Sequence, residues 1–131
     1  MSALTAIVVT HDSAHVLPAC LDALRREGVP AIVVDNASED GSAELAQAHG
    51  ARVIRNRRNE GYGRANNLGA AAADSEFLLI LNPDLALESG AVAELLAAAE
   101  RYGDAGLLAP RIVEPDGRMF FQAQSVLEAE A

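Results

Sequence analysis

Tryptophan is absent from this chain, and Phe and Tyr bring the aromatic share to only 4%. A platform for stacking single-stranded nucleic acid needs aromatic faces, so the composition argues against one. The core must be made chiefly of Ala, Val, Ile and Leu in a chain that is 50% hydrophobic. Basic residues are also few: ten face nineteen acidic ones, for a formal net charge of -9. Nucleic-acid binders need a positive surface for phosphate contacts, so no nucleic-acid partner is expected and an anionic ligand must be met by local basic groups. Cys20 is the single cysteine, which excludes an intrachain disulfide and a multi-cysteine metal site and favours an intracellular setting. It falls in the apolar part of a predicted helix with no adjacent base, and reads as a small buried hydrophobe. No run approaches the about 20 apolar residues of a membrane-spanning helix, and the start lacks the charged and long apolar regions of a signal peptide. A soluble chain without a transmembrane segment is the expectation.

The 131 residues suit one domain, 1–131, with a core that needs no metal or disulfide staple, folding alone or as a homo-oligomer. Strand and helix signals alternate along it. Leu4 to Thr10 is apolar and β-branched, and Val16, Leu17, Cys20, Leu21 and Leu24 carry a helical period closed by Gly28 and Pro30. Ala31 to Val34 predicts a strand ending at Asp35; the polar stretch from Asn36 to Ser42 introduces a helix through about His49, and Gly50 stops it. Ala51 to Arg55 is a third strand, followed by the basic loop 56–61 and a small-residue helix over Tyr62 to Ala73. Phe77 to Leu81 is a fourth strand, and Glu88 to Arg101 a strong helix ended by Gly103. Leu107 and Leu108 read as a shorter strand, and Ile112-Val113 with Met119-Phe120-Phe121 as a hairpin around Pro115-Asp116-Gly117. The pattern predicts an α/β fold: a mainly parallel sheet with helices on both faces and right-handed crossovers.

Such sheets bind ligands at the carboxyl ends of their strands. Thr10-His11-Asp12 follows the first strand, Asp35-Asn36 the second and Asn82-Pro83-Asp84 the fourth. Each group alone fits an ordinary loop, because Asp, Asn and Ser satisfy free N–H groups where helices begin. Their joint placement favours a site. Pro83 ends the strand ladder for want of an N–H, which holds Asp84 on a stiff corner.

Three blocks then carry a resemblance: Val33-Val34-Asp35-Asn36-Ala37-Ser38-Glu39-Asp40-Gly41-Ser42, Asn59-Glu60-Gly61-Tyr62-Gly63-Arg64-Ala65-Asn66-Asn67-Leu68-Gly69, and Leu79-Ile80-Leu81-Asn82-Pro83-Asp84. With the opening Ile7-Val8-Val9-Thr10-His11-Asp12-Ser13, they resemble the signature blocks of family 2 glycosyltransferases, in the bacterial rhamnosyltransferase-like branch, over nearly all of Leu4 to Val113. Ordered blocks are far more specific than one short motif. The resemblance implies a GT-A, Rossmann-like three-layer sandwich, truncated before the acceptor-binding half. It implies transfer of a sugar, with rhamnose preferred, from a dTDP- or UDP-sugar to a hydroxyl acceptor with inversion. It further implies a role in polysaccharide biosynthesis and a cytoplasmic location that includes the inner face of the membrane.

By this resemblance Thr10 and His11 contact the nucleotide, with His11 standing where Tyr is commoner. Asp35 matches the acid that accepts the imide N–H of uracil or thymine, a pairing with chemical logic because a carboxylate selects bases that present a donor. Arg64 matches a basic position near base and phosphates, the best placed of a cluster with Arg52, Arg55, Arg57 and Arg58; Arg57 and Arg58 read as solvated. Gly61, Gly63 and Gly69 lack dinucleotide-site spacing and suit tight turning and close helix packing, with Asn66 and Asn67 as loop-fixing hydrogen-bond groups. Asn82-Pro83-Asp84 matches the metal motif with Asn in place of its first acid. Asp84 is the implied ligand of Mg2+ or Mn2+ bridging the diphosphate, and Asn82 supplies an oxygen or a hydrogen bond.

The resemblance also implies a second half holding the acceptor site and an acidic general base. Glu128 and Glu130 in the Ala-rich tail are not convincing as that base. Two other readings stay open at this level: a noncatalytic nucleotide-binding or assembly module, and a nucleotidyltransferase.

Overall fold

A run of seven residues with no charged side chain forms β1 (Leu4–Thr10), and every one of them is buried. Burial on both faces marks a central strand of a parallel sheet. The computed structural model, which describes residues 3–120, pairs β1 with β2 (Ala31–Asn36) on one side and β4 (Phe77–Leu81) on the other, and β2 with β3 (Arg52–Asn56). The resulting sheet is parallel throughout and ordered β3-β2-β1-β4. Helices α1 (Leu17–Arg26), α2 (Ser42–Ala48) and α3 (Tyr62–Ala72) follow β1, β2 and β3 in turn, the alternation that the sequence predicts. Register sets Thr10 beside Asp35, Asp35 beside Arg55 and Asn36 beside Asn56. Polar residues of three strands therefore end together on the carboxyl edge of the sheet.

The chain divides into two compact units at Val92 and Ala93. The first contains the sheet with α1 to α3. Its α3 packs on β1 and β2 over a core of Ile7, Val9, Ile32, Val34 and Ala65, with Ile54, Ala72 and Ala73 against it. Side chains alternate across a strand, so Ala6, Val8 and Val33, all fully buried, point to the other face. There α1 and α2 contact each other and α2 rests on β2 and β3, burying Leu17, Cys20, Leu21, Leu24, Ala43 and Ala46. The second unit contains most of α4 (Ala91–Arg101) and the antiparallel hairpin of β5 (Ile112–Val113) and β6 (Met119–Phe120). Among the described residues, no helix is long and apolar enough to cross a membrane.

Gly69 explains how closely α3 approaches the sheet. A Cβ there would lie 2.5 Å from Cγ2 of Ile7 and 3.1 Å from Cγ2 of Val34, inside van der Waals contact with two β-branched core residues that have little freedom to move. The expected packing role of this glycine is met. Gly69→Ala is expected to lower stability by roughly 1–3 kcal/mol through overpacking, read as a lower urea midpoint at unchanged slope.

Three expectations change. The strand β2 runs on through Asn36 instead of ending at Asp35, because Asn36 pairs with Asn56 of β3 and is buried. Helix α4 begins at Ala91, not Glu88: Gly90 takes a φ of 87°, and its N–H donates to Glu27 Oε1 at 3.1 Å, so the chain turns there before the helix starts. Leu107 and Leu108 form no strand; Leu107 is 82% exposed, and without a pairing partner two leucines do not make a ladder. The expected residues beyond Phe120 lie outside those described.

Candidate functional site

The loops after β1 and β2 are bonded to each other by backbone-to-side-chain hydrogen bonds. The Asp12 N–H donates to Ser38 Oγ at 2.8 Å and the Glu39 N–H to Asp12 Oδ1 at 2.8 Å. The Ser13 N–H donates to Ser42 Oγ at 3.1 Å, and the Ala14 N–H to Asp40 Oδ2 at 3.0 Å. The Asp40 carboxyl is held below its ordinary range by the Ser42 hydroxyl and then by the Ala14 N–H. Its contribution to stability is present above the unfolded carboxyl value and is lost as pH falls through the lowered one. Asp12 and Ala37 adopt left-handed φ angles of 51° and 58°, uncommon for residues with a Cβ. The cross-bonds hold them there.

Beneath these loops lies a polar network centred on Asn36, which is 2% exposed. Its Oδ1 accepts from Asn56 Nδ2 at 2.8 Å and from the Glu60 N–H at 3.3 Å, and its Nδ2 donates to the Gly61 carbonyl at 3.2 Å. Its own carbonyl lies 2.7 Å from His11 Nδ1. A carbonyl only accepts, so Nδ1 carries the hydrogen, which leaves the ring edge with Nε2 outward, 3.5 Å from Asp12 Oδ2. Asn36 thus ties the ends of β1, β2 and β3 to the start of α3. The expected loop-fixing role falls to Asn36, Asn56 and Asn59, whose Oδ1 accepts the Gly61 N–H at 2.9 Å, and not to Asn66 and Asn67. Asn66 instead keeps a buried Oδ1 with no hydrogen bond.

Two more buried oxygens are without partners, Thr10 Oγ1 and Asp35 Oδ1, and their residues are register neighbours. Asp35 is 4% exposed, and only its Oδ2 is engaged, by the Ser38 N–H at 3.2 Å. A buried polar atom left unpaired costs about 1–3 kcal/mol. Natural structures keep few of them, and those few call for an explanation such as ligand binding. The edge therefore presents a hydroxyl and a carboxyl oxygen poised for a partner.

At the end of β4 the chain makes a tight turn, with the Leu85 N–H donating to the Asn82 carbonyl at 3.1 Å and Pro83 at the second position, where its fixed φ fits. Asp84 is exposed, and its carboxylate accepts no hydrogen bond from the described residues. The same Asn82 carbonyl lies 3.9 Å from Cys20 Sγ. The thiol of Cys20 is pushed up to about 11 by burial and then by the negative charge of Asp84, which sets Asp84 on the α1 side of the edge. Cys20 is buried and inert, as expected. Because only the thiolate reacts, iodoacetamide is expected to alkylate it roughly 100-fold more slowly in the folded chain than in the unfolded chain at neutral pH. Equal rates would contradict that placement of the thiol.

The arginines separate into two sets. Arg55 Nη1 pairs with Glu44 at 2.9 Å and Arg52 Nη1 donates to the Ala72 carbonyl at 3.2 Å, so both serve the scaffold rather than a ligand. Arg58 and Arg64 meet at Glu60, at 3.1 and 3.4 Å, and Glu60 is held below the ordinary carboxyl range chiefly by Arg58. Arg57 and Arg58 are exposed, in line with the solvated reading. Arg64 stands on the first turn of α3, 72% exposed in its side chain. Tyr62, two residues earlier, donates its hydroxyl hydrogen to Asn82 Oδ1 at 2.9 Å and bridges the start of α3 to the turn after β4. That contact has no signal in the sequence beyond an aromatic residue near a glycine.

Among the described residues no group of three or more His, Cys, Asp or Glu side chains is placed to hold a metal. A cation on this edge would rest on Asp84 and on oxygens of a ligand, the arrangement in which Mg2+ is bound through one carboxylate and phosphates. A cavity of about 600 Å³ lies at the opposite end of the sheet, lined by Gly28, Pro30, Ala31, His49 and Ala51 among others. None of the candidate site residues lines it.

An α/β sheet with a polar carboxyl edge is a class of fold that binds ligands at that edge, and comparison with known proteins makes the class specific. The family model "Glycosyl transferase family 2" matches residues 5–127, and the chain belongs to that family. It is 32% identical over 111 residues to the N-acetylglucosaminyl-diphospho-decaprenol L-rhamnosyltransferase of Mycobacterium tuberculosis, covering 75% of this chain and 36% of that protein. The fold is that of S. aureus TarS residues 1–349, at a TM-score of 0.70 and 20% identity over 78% of this chain and 33% of that one. It is also that of the M. tuberculosis glucosyl-3-phosphoglycerate synthase solved with Mn2+, UDP and glucosyl-3-phosphoglycerate, at 0.60 and 19% over 74% and 39%. The fold class is GT-A, as the sequence implies. The chain spans about a third of the length of the curated rhamnosyltransferase, 36%.

Proposed function

We propose that this chain is the donor-binding portion of an inverting, metal-dependent glycosyltransferase that takes a sugar from a dTDP- or UDP-sugar, with rhamnose as the preferred sugar, to a hydroxyl acceptor. The observation that carries the reading is the buried, unpartnered Oδ1 of Asp35 next to Thr10 Oγ1 on the carboxyl edge. An imide N–H of uracil or thymine would satisfy the carboxyl, and a base carbonyl or a ribose hydroxyl the threonine. His11, its ring fixed by the Asn36 carbonyl, offers a face for stacking on the base. Arg64 supplies positive charge toward the phosphates once it exchanges its long contact with Glu60.

Asp84 fits a Mg2+ or Mn2+ site because its carboxylate is exposed, free of hydrogen bonds from the described residues and fixed by the turn at Pro83. When bound, such a cation neutralises charge growing on the departing diphosphate. Support comes from a structural neighbour that holds Mn2+ and UDP, and for the sugar from the rhamnosyltransferase relative. The general base belongs to the acceptor side, and none of the described residues is assigned to it. Polysaccharide assembly at the cytoplasmic face of a membrane is the setting this reading suggests.

The same edge, with Thr10 and Asp35 turned to a base, also suits one other reading, a noncatalytic nucleotide-binding module. The nucleotidyltransferase reading gives way to the family assignment. Calorimetric titration with UDP, dTDP and CDP tests the donor site: uridine and thymidine nucleotides, whose N3 carries a hydrogen, are expected to bind in preference to CDP, whose N3 does not, and equal or absent binding would refute the assignment of Asp35. Incubation with dTDP-rhamnose and UDP-glucose then separates the transferase from the module, because only the former, completed by an acceptor half, releases nucleotide.

A further inference from the structure

We infer that Tyr62 is a positioning residue that turns the Asn82 amide so that Asn82 acts on a donor diphosphate through its N–H groups and not as an oxygen ligand of a cation; this rests on the donor-site reading above. The Tyr62 hydroxyl donates to Asn82 Oδ1 at 2.9 Å. A phenol hydrogen aimed at that oxygen takes one of its two lone pairs and presents a positive dipole to an approaching cation, so metal ligation through Oδ1 is disfavoured. The same contact fixes the rotation of the planar amide, whose Nδ2 must then point away from the tyrosine. Nδ2 makes no hydrogen bond with the described residues. It carries two donors at an exposed position, two residues before Asp84.

The backbone holds this arrangement from below. The Asn82 carbonyl accepts from the Leu85 N–H at 3.1 Å and lies 3.9 Å from the buried Cys20 thiol, so two groups hold the peptide that follows its Cα. The turn then divides two tasks. Asp84, an acceptor only, suits a cation, while Asn82, whose oxygen already accepts the tyrosine hydrogen and whose Nδ2 donors are free among the described residues, suits an anionic phosphate oxygen.

The test is titration of the chain with UDP and dTDP, with and without Mn2+. Tyr62→Phe removes only the hydroxyl and is expected to weaken nucleotide affinity about fivefold, by a similar factor in both conditions. In an Asn82→Ala background the same substitution is expected to have no further effect on affinity, which a merely structural role of Tyr62 would not produce. Asn82→Asp, which replaces the two N–H donors by a second negative oxygen, is expected to weaken metal-free binding about tenfold and to gain no extra dependence on Mn2+. Tighter Mn2+-dependent binding by Asn82→Asp would overturn the inference by making position 82 a metal ligand, as would unchanged affinity in Tyr62→Phe. Failure of the unaltered chain to bind either nucleotide would instead refute the donor-site reading, and the inference with it.

Discussion

Asp35→Ala is expected to lower the affinity for UDP and dTDP by about 10- to 100-fold, the value of a charge-assisted hydrogen bond, and to erase the preference over CDP. The fold should tolerate the change. Asp35 gives up one bond, from the Ser38 N–H, and a buried oxygen without a partner disappears at the same time. Two opposing terms of roughly 1 kcal/mol each leave the thermal midpoint near its starting value. Ligand affinity and stability therefore move separately, the pattern of a residue kept for binding. A helix-start or loop-capping role predicts the reverse, a lower midpoint with unchanged affinity. Asp35→Asn sharpens the comparison: it keeps the shape and an oxygen but removes the charge, and it should lie between the two in affinity.

Asp84→Ala carries the second large effect. This carboxylate is exposed, takes no hydrogen bond from the described residues and acts on its surroundings through its charge on Cys20. Its loss should leave folding intact and abolish any strengthening of nucleotide binding by Mn2+ or Mg2+. Metal-free affinity should hold or rise slightly, because a negative charge has been removed from the path of a diphosphate. Loss of binding in both conditions would instead mean that Asp84 contacts the nucleotide directly.

Much of this edge was readable before any coordinates. Apolar runs bounded by turn residues located β1 and β4 to the residue, since periodicity and length together leave little choice for a buried parallel strand. The polar residues at strand ends followed from the fold class, and so did the role of Cys20. What the sequence hid depends on neighbours far apart in the chain. Asn36 looked like loop, yet it is the last residue of β2 because Asn56, Gly61 and His11 use its polar groups. Arg52 and Arg55 looked like members of a phosphate cluster, yet strand register turns them to Ala72 and Glu44. The bond from Tyr62 to Asn82 spans 20 residues, and no local pattern encodes it. Leu107 and Leu108 had strand propensity but no pairing partner among the described residues, and propensity alone is weak in sheets.

The central claim is that the carboxyl edge of this sheet is a metal-dependent site for a nucleoside diphosphate. The most direct measurement is calorimetric titration of UDP and dTDP into the chain with and without Mn2+, repeated on Asp84→Ala. The account predicts binding that Mn2+ strengthens about tenfold or more, as expected for one carboxylate and phosphates sharing a cation, and no such strengthening in the variant. Binding that is absent, or that is indifferent to Mn2+ in the unaltered chain, would contradict it.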